Sequence, residues 1–343
     1  MADCVTIVGG GLAGLMLGIG LRQRGVPATV WEVGRYPRHR VCGGFISGRG
    51  QASLARLGLL AGLVEAGAGT AVSAAFYSGE GRIAARPLPE SALCISRFRL
   101  DQWLAREFQR LGGELRVGTR WTGGYGEGVV RAAGRRPEPV ADGWRMLGLK
   151  VHARGIALDA DLEMHFVPNG YVGLCRFPGG EVNVCGLFRS AVPVPDLAQR
   201  WREWLSGPAD STLHSRMAGA QIDEDSFCSV AGLSLSPHRA TDRTEWCIGD
   251  ALTMIPPMTG NGMSMAFESA ELALDPLERF SRHQASWSEA QQEYARACDN
   301  TFRVRLRWAA WLQRAYFIPA ARTALFVAAR SQRCWRGLFE RTR

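Results

Sequence analysis

Three short stretches of this 343-residue chain carry residue types at spacings that could do chemistry. The first is Gly9-Gly10-Gly11-Leu12-Ala13-Gly14, preceded by Val5-Thr6-Ile7-Val8 and followed by Glu32. Gly9 permits a tight turn, Gly11 lets backbone approach a pyrophosphate, and Gly14 lets the next helix pack closely on the strand. Leu12 and Ala13 open that helix, whose free N–H groups and partial positive charge face the phosphates. Glu32 is spaced to accept hydrogen bonds from an adenosine ribose, and a carboxylate there disfavours a 2′-phosphate such as that of NADP. The chemistry implied is dinucleotide binding, and this motif alone leaves FAD and NAD both open.

The second stretch is Gly249-Asp250-Ala251 followed by Pro256-Pro257-Met258-Thr259-Gly260-Asn261-Gly262-Met263. Asp250 can accept from a sugar-chain hydroxyl. Pro257, Gly260 and Gly262 keep the loop close to a ligand, and a helix starting near Met263 aims its positive end at it. The third stretch is His39-Arg40-Val41-Cys42-Gly43-Gly44, with Arg97 further on. The forks of Arg40 and Arg97 suit phosphate and hydroxyl oxygens. Cys42 is either a reactive thiol at the ligand or a small residue in a tight loop. His39 and His165 are candidate acid/base groups, with solvated or hydrogen-bonded histidines as the alternative. Cys94, Cys175, Cys185, Cys228, Cys247 and Cys298 read as core residues.

These residues need elements to hold them. Val5–Val8 and Thr29–Trp31 read as strands around a helix from Leu12 to Arg24. A helix is expected near Ser47, and another from Ser96 with Leu100, Leu104, Phe108 and Leu111 at helical spacing. Strands are expected at Ala71–Tyr77, Arg82–Ala84, Leu115–Val117 and from Val129 into a turn at Gly134-Arg135. From about 144 to 235 the pattern becomes alternating strands with glycine or proline turns, interrupted by a helix from Asp196 to Leu205. Glu245–Ile248 is a further strand, Met263–Leu274 a helix, and everything after Leu277 helical.

Composition narrows the classes. Hydrophobic residues make up 46% and charged residues 21%, as in globular chains. No run approaches the roughly 18 apolar residues that span a bilayer, and no secretion signal is read. Nine cysteines without CxxC pairs argue against a zinc site or a disulfide framework. Lys150 is the sole lysine, so the basic charge is arginine. Residues 296–343 hold eleven arginines against Asp299 and Glu340, an excess equal to the net charge of +9 of the whole chain. Val304, Trp308, Trp311, Leu312 and Ala315 recur there at helical spacing. Two readings stand: a basic amphipathic helix on an anionic membrane, or a helix packing its aromatic face on the core. Nucleic-acid binding has no motif to support it. The localisation expected is cytoplasmic, with a peripheral position at the inner face of a membrane as the extension.

The set of motifs resembles the FAD flavoproteins that include para-hydroxybenzoate hydroxylase and, more closely, the geranylgeranyl reductases. The Gly9/Gly11/Gly14/Glu32 fingerprint is common to the class. Cys42-Gly43-Gly44 resembles the loop those reductases place beside the isoalloxazine. Ser96-Arg97-Phe98-Arg99-Leu100-Asp101 is similar to their R-x-x-[LF]-D helix start, and Gly249-Asp250-Ala251 with Pro257-x-Thr259-Gly260-x-Gly262 to their flavin loop. Tyr171-Val172-Gly173-Leu174-Cys175-Arg176-Phe177-Pro178 is a looser likeness to Y-x-W-x-F-P, with Gly173 in place of tryptophan. Ala133 stands where the class has an aspartate in A-D-G-R, which weakens the expectation of tight nicotinamide docking.

The resemblance implies an α/β fold: a Rossmann-like FAD-binding domain (1–70, 95–143 and 236–275), an inserted antiparallel sheet that takes the substrate (71–94 and 144–235), and C-terminal helices (276–343). It implies FAD as cofactor and NAD(P)H as a transient reductant, with an external electron donor as the alternative. Tyr171 and Phe177 join Cys42 as candidate catalytic residues. The activity implied is reduction or dehydrogenation of a C=C bond in an apolar isoprenoid- or polyketide-like molecule. The alternative is an aromatic monooxygenase using NAD(P)H and O2. Flavin-dependent halogenation is disfavoured, because it would want a lysine between flavin and substrate and a W-x-W-x-I-P motif that is absent.

Overall fold

The computed structural model describes residues 2–79, 81–135, 143–191 and 197–343. Asp196, the expected start of a helix, lies outside these residues, as do 136–142. The chain begins with β1 (Val5–Val8), α1 (Leu12–Gln23) and β2 (Ala28–Glu32). Then come β3 (Phe45–Ile46), α2 (Gly48–Arg56), α3 (Leu60–Glu65), β4 (Gly69–Ser78) and β5 (Gly81–Cys94). The next elements are α4 (Arg97–Arg110), β6 (Glu114–Val117) and β7 (Val129–Arg131). The inserted region holds β8 (Arg145–Arg154), β9 (Leu162–Val167), β10 (Gly170–Arg176), β11 (Val182–Ser190), α5 (Leu197–Ser206), α6 (Thr212–Met217) and β12 (Gln221–Ala231). The chain returns through β13 (Trp246–Cys247) and α7 (Gly262–Leu272), and ends in α8 (Leu274–Ser281), α9 (Trp287–Tyr316), α10 (Pro319–Ala329) and α11 (Gln332–Arg341).

Among the described residues the strands form two sheets. One is wholly parallel, in the order β13-β7-β1-β2-β6. Its strands are short, and β1, β2 and β13 are buried, as parallel strands covered on both faces must be, whereas the edge strand β6 is largely exposed. α1 is buried continuously from Leu12 to Leu21, so its sequence is apolar around the whole circumference rather than striped. α4 packs the expected face, with Leu100, Leu104 and Phe108 fully buried.

The second sheet runs β12-β8-β11-β10-β9-β4-β5-β3. The sequence pointed to a purely antiparallel sheet; the structure is mixed, because β4 pairs with β9 in parallel. The two hairpin groups come from separate passages of the chain and meet at that seam. The sheet also reaches outside the expected bounds of the insert, since β4 starts at Gly69 and β3 lies at 45–46.

Alternation sorts the two faces of this sheet. Leu147, Leu149 and Val151 of β8, Val172 and Leu174 of β10, and Val182 and Val184 of β11 form one core with Trp201, Leu205, Leu213 and Met217 of α5 and α6. The opposite face carries Gly148, Lys150 and His152, then Tyr171, Gly173 and Cys175, then Asn183, Cys185 and Leu187. It faces the first sheet's loops. The short and polar residues of the insert are on this side.

Candidate active site

The nucleotide end is built by the turn between β1 and α1. Gly9 has φ +118°, and a Cβ there would sit 2.2 Å from the carbonyl oxygen of Ala132 on the adjoining strand end. A Cβ on Gly14 would lie 2.0 Å from the Gly9 carbonyl oxygen, so only glycine lets α1 sit this close. Gly11 is different, since nothing lies within 4 Å of a Cβ there. It borders open space at the first turn of α1, which carries no side-chain cap, so its N–H groups are available to an anion.

Glu32, 4% exposed, accepts from the Gly10 N–H (2.9 Å) and the Gly34 N–H (2.7 Å), with Arg38 Nη2 2.8 Å away. Burial resists its ionisation, but the Gly34 N–H, Arg38 and Arg40 outweigh it and hold the carboxyl below its ordinary range. Tyr36 donates from its hydroxyl to the Gly10 carbonyl at 2.5 Å. Gly10, Tyr36 and Arg38 were not singled out from the sequence, because nothing in their spacing marks them.

A buried carboxylate organises the middle of the site. Asp101 is fully buried and takes a two-point contact from Arg97, at 2.6 and 2.8 Å. Arg40 Nε lies 3.3 Å from Asp101 Oδ2, the oxygen that Arg97 Nη2 also contacts. Burial alone would lower the pKa of Arg97, yet Asp101 raises it; burial and the neighbouring Arg97 instead lower that of Arg40. Across from them is Asp250, after β13. It is solvent-exposed at its surface yet enclosed by protein mass, the position of a residue on the floor of a cleft. Burial raises its pKa, against Arg97, Arg135 and Arg40. Gly249 packs its backbone on Ala13, where a Cβ would meet the Ala13 Cβ at 2.8 Å. The two glycine segments of the sequence thus lie side by side.

The far end is formed by the 42–45 loop and the turn before α7. A Cβ on Gly44 (φ +81°) would meet the Phe177 ring at 2.6 Å, and one on Gly260 (φ +67°) the Phe45 ring at 2.2 Å. Gly43 is less confined. Pro257 opens the turn, Met263 is buried in the first turn of α7, and a Cβ on Gly262 would meet only open space. Like α1, α7 starts without a side-chain cap hydrogen bond. Asn261 instead accepts from Ser47 Oγ (2.9 Å) and donates to the Thr342 carbonyl, while Arg343 donates to the Thr259 carbonyl.

The inserted sheet contributes Asn183, 1% exposed, whose Nδ2 donates to the carbonyls of Cys42 and Gly43, both at 3.0 Å. Cys175 Sγ is 3.9 Å from the Gly44 carbonyl oxygen. Lys150, 2% exposed, places Nζ 3.0 Å from His39 Nδ1 and 3.3 Å from the Ser226 carbonyl. Burial lowers its pKa to about 8, and burial with Lys150 and His152 lowers that of His39 to about 4. His39 is therefore a neutral acceptor stacked on Phe98 at 4.5 Å. His165 is bound to Glu163 at 2.9 Å and stacked on Tyr77, so its role is structural.

Of the other candidates, Tyr171 donates to Gln313 Oε1 at 3.1 Å and is fully enclosed with Leu187, Tyr316 and Met258. Phe177 packs on Gly44. Cys42 is half-buried on its loop. Cys94, Cys175, Cys247 and Cys298 are buried as expected, but Cys185 and Cys228 are only half-buried. They flank Lys150 on the neighbouring strands, on the face turned to the loop rather than to the core.

The comparisons agree with this geometry. Residues 3–133 match the profile of the FAD binding domain. No curated protein matches the sequence. Among solved structures, the flavin-dependent brominase Bmp2 superposes with a TM-score of 0.73 at 15% identity, over 99% of this chain and 93% of that one. PqsL, a probable FAD-dependent monooxygenase from Pseudomonas aeruginosa, gives 0.68 at 16% identity, over 98% and 100%. A flavoprotein/dehydrogenase from Cytophaga hutchinsonii gives 0.73 at 14%, over 95% and 88%. The chain has the fold of the para-hydroxybenzoate hydroxylase type of FAD-dependent oxidoreductases, with an N-terminal FAD-binding segment. The finer likeness to geranylgeranyl reductases rests on the loop motifs alone.

The residues present fit FAD. Open space at Gly11 and Gly262, two uncapped helix starts, and Asp250 on the cleft floor opposite Arg97 and Arg40 form one continuous set of donors and acceptors. Glu32 would hold the adenosine ribose, Arg40 and Arg97 the phosphates, Asp250 the sugar chain, and the 42–44 and 257–263 segments the ring system. Bound there, FAD supplies two-electron redox chemistry at its ring.

Proposed function

We propose that this chain is an FAD-dependent monooxygenase acting on an apolar, aromatic small molecule held between the inserted sheet and the Pro257–Gly260 turn. The carrying observation is the cluster of Tyr171, Leu187, Tyr316 and Met258. Its polar tips are already engaged: Tyr171 donates to Gln313, and the Tyr316 hydroxyl lies 2.7 and 2.5 Å from the Val167 and Gly170 carbonyls. With those hydroxyls engaged, the packed cluster behind the Pro257–Gly260 turn is apolar and offers no free acid. Reduction of a C=C bond needs a proton delivered to carbon; oxygenation of an activated ring does not. Solved neighbours described as a brominase and a probable monooxygenase support an oxygen-using chemistry.

The second reading is the C=C reductase, and Cys42 is what favours it. Its thiol is half-buried on the loop beside the expected ring position, while Asn183 pins its carbonyl. In that reaction Cys42 would give its proton to the substrate carbon next to the one accepting hydride.

The decisive test is reduction of the FAD-loaded protein by NADH or NADPH without oxygen, followed by admission of oxygen with candidate aromatic and prenyl substrates. Oxygen uptake matched to a hydroxylated product supports the first reading. A saturated product without oxygen uptake supports the second. Reduction by dithionite alone would point to an external donor, consistent with Ala133 in place of the usual aspartate.

A further inference from the structure

The 30-residue helix α9 has two faces of opposite character. Phe302, Arg305, Leu306, Ala309, Gln313 and Tyr316 are buried. On the outward side, Arg303, Val304, Arg307, Trp311 and Arg314 fall within an arc of roughly 100° at 3.6 residues per turn. Val304 and Trp311 are 51% and 52% exposed. Ile318, at 56%, continues the stripe past the end of α9, and Val327, at 62%, lies on α10. The aromatic stripe seen in the sequence therefore does not pack on the core: of its members only Ala315 is buried, with Trp308 and Leu312 half-buried. Arg303, Arg307 and Arg314 have no carboxylate within ion-pair distance among the described residues, and neither do the exposed Arg330, Arg333 and Arg336.

We propose that this face docks on the surface of an anionic lipid bilayer. Unpaired arginines beside exposed Trp, Val and Ile side chains are complementary to a surface that offers negative headgroups above an apolar layer. A protein partner of acidic character would satisfy the arginines but leaves no reason for bulky apolar tips spread over two helices. No helix among the described residues is long and apolar enough to cross a membrane, so the contact is peripheral. The arrangement places the bilayer next to the substrate wall, because the inner face of the same helix carries Gln313 and Tyr316 against Tyr171 and Gly170.

The test is flotation of the FAD-loaded full-length protein with vesicles of phosphatidylcholine alone and with 30% phosphatidylglycerol (about a third anionic lipid, to reach a strong surface potential). Binding is expected to the anionic vesicles only and to weaken with salt. The R303Q/R307Q/R314Q variant is expected to bind about a hundredfold more weakly. The V304S/W311S/I318S variant is expected to lose binding while keeping the wild-type flavin spectrum, since Val304, Trp311 and Ile318 are each more than half exposed and Trp311 leans on the ring of Trp308. Equal binding of wild type and both variants, or no binding to anionic vesicles, overturns the proposal. A wild-type protein that stays off vesicles and forms a dimer lost in V304S/W311S/I318S overturns it in favour of self-association.

Discussion

Asn183 of β11 holds the carbonyls of Cys42 and Gly43 from a different sheet, with both hydrogen bonds at 3.0 Å and the side chain 1% exposed. The amide thereby joins the inserted sheet to the loop beside the expected flavin ring. It fixes the direction in which the loop's N–H groups and the Cys42 thiol point. Replacement by Ala leaves two half-buried acceptors without this partner, which costs about 1–3 kcal/mol. The expected outcome for Asn183→Ala is a lower melting temperature and a shifted flavin absorption spectrum. A variant with a changed melting temperature and an unchanged spectrum would show that the clamp is merely structural.

The fingerprint glycines separate two roles that sequence motifs merge. A Cβ on Gly14 collides with the Gly9 carbonyl at 2.0 Å, whereas one on Gly11 enters open space. Gly14→Ala is expected to destabilise the apoprotein and the loaded protein together. Gly11→Ala should leave the apoprotein's melting temperature in place and raise the FAD dissociation constant by about tenfold or more, roughly 1.4 kcal/mol per decade. Calorimetric titration with FAD alongside thermal melts measures both.

Lys150 gives a pH signature. Its pKa is lowered to about 8 in the fold, against an ordinary value of 10.5, so the folded state holds fewer protons than the unfolded one between these pH values. Stability therefore rises with pH across roughly pH 8 to 10.5 where this group dominates, and the cost of the buried ammonium is fully felt below 8. Lys150→Met is expected to abolish that rise in denaturant titrations. Because Lys150 is the only lysine, reductive methylation with a carbon-13 label should give one ε-amine resonance, whose titration reads the pKa directly.

Arg305 and Glu268 form a two-point ion pair, 2.6 and 2.9 Å, with both residues buried. The pair ties α9 to α7, the helix that starts at the flavin turn. Glu268→Ala strands a guanidinium and should cost about 3–5 kcal/mol, whereas paired replacement by apolar residues of similar size should recover most of it. Chemical denaturation of the single and double variants distinguishes these outcomes.

Much of this site was legible in the sequence because its parts are local. Gly9, Gly11, Gly14 and Glu32 sit within one strand–helix–strand unit, and Asp250 and Gly260 within the single connection between β13 and α7, so spacing along the chain reports their geometry. Asn183 and Lys150 were not legible in this way. Each contacts the 39–43 loop from more than a hundred residues away, and pairing across a sheet leaves no trace in local spacing. Asn183 did carry a weak signal, as an amide interrupting the run Val182 to Phe188. The outward turn of Trp311 was equally hidden. Helical spacing groups Val304, Trp308 and Trp311 correctly but does not say which side of a helix the core takes, and the buried arc was chosen by Phe302, Leu306 and Ala309.

The order of the parallel sheet sets a timetable for the young chain. β1, β2, β6 and β7 are complete once Arg131 has been made, but β13, which extends the sheet beside β7, arrives only at Trp246. The adenosine-binding half can therefore assemble early, while Asp250 and α7 wait for the whole insert to be synthesised and folded. Until then one margin of the first sheet, along β7, stays unpaired and open to association with other chains.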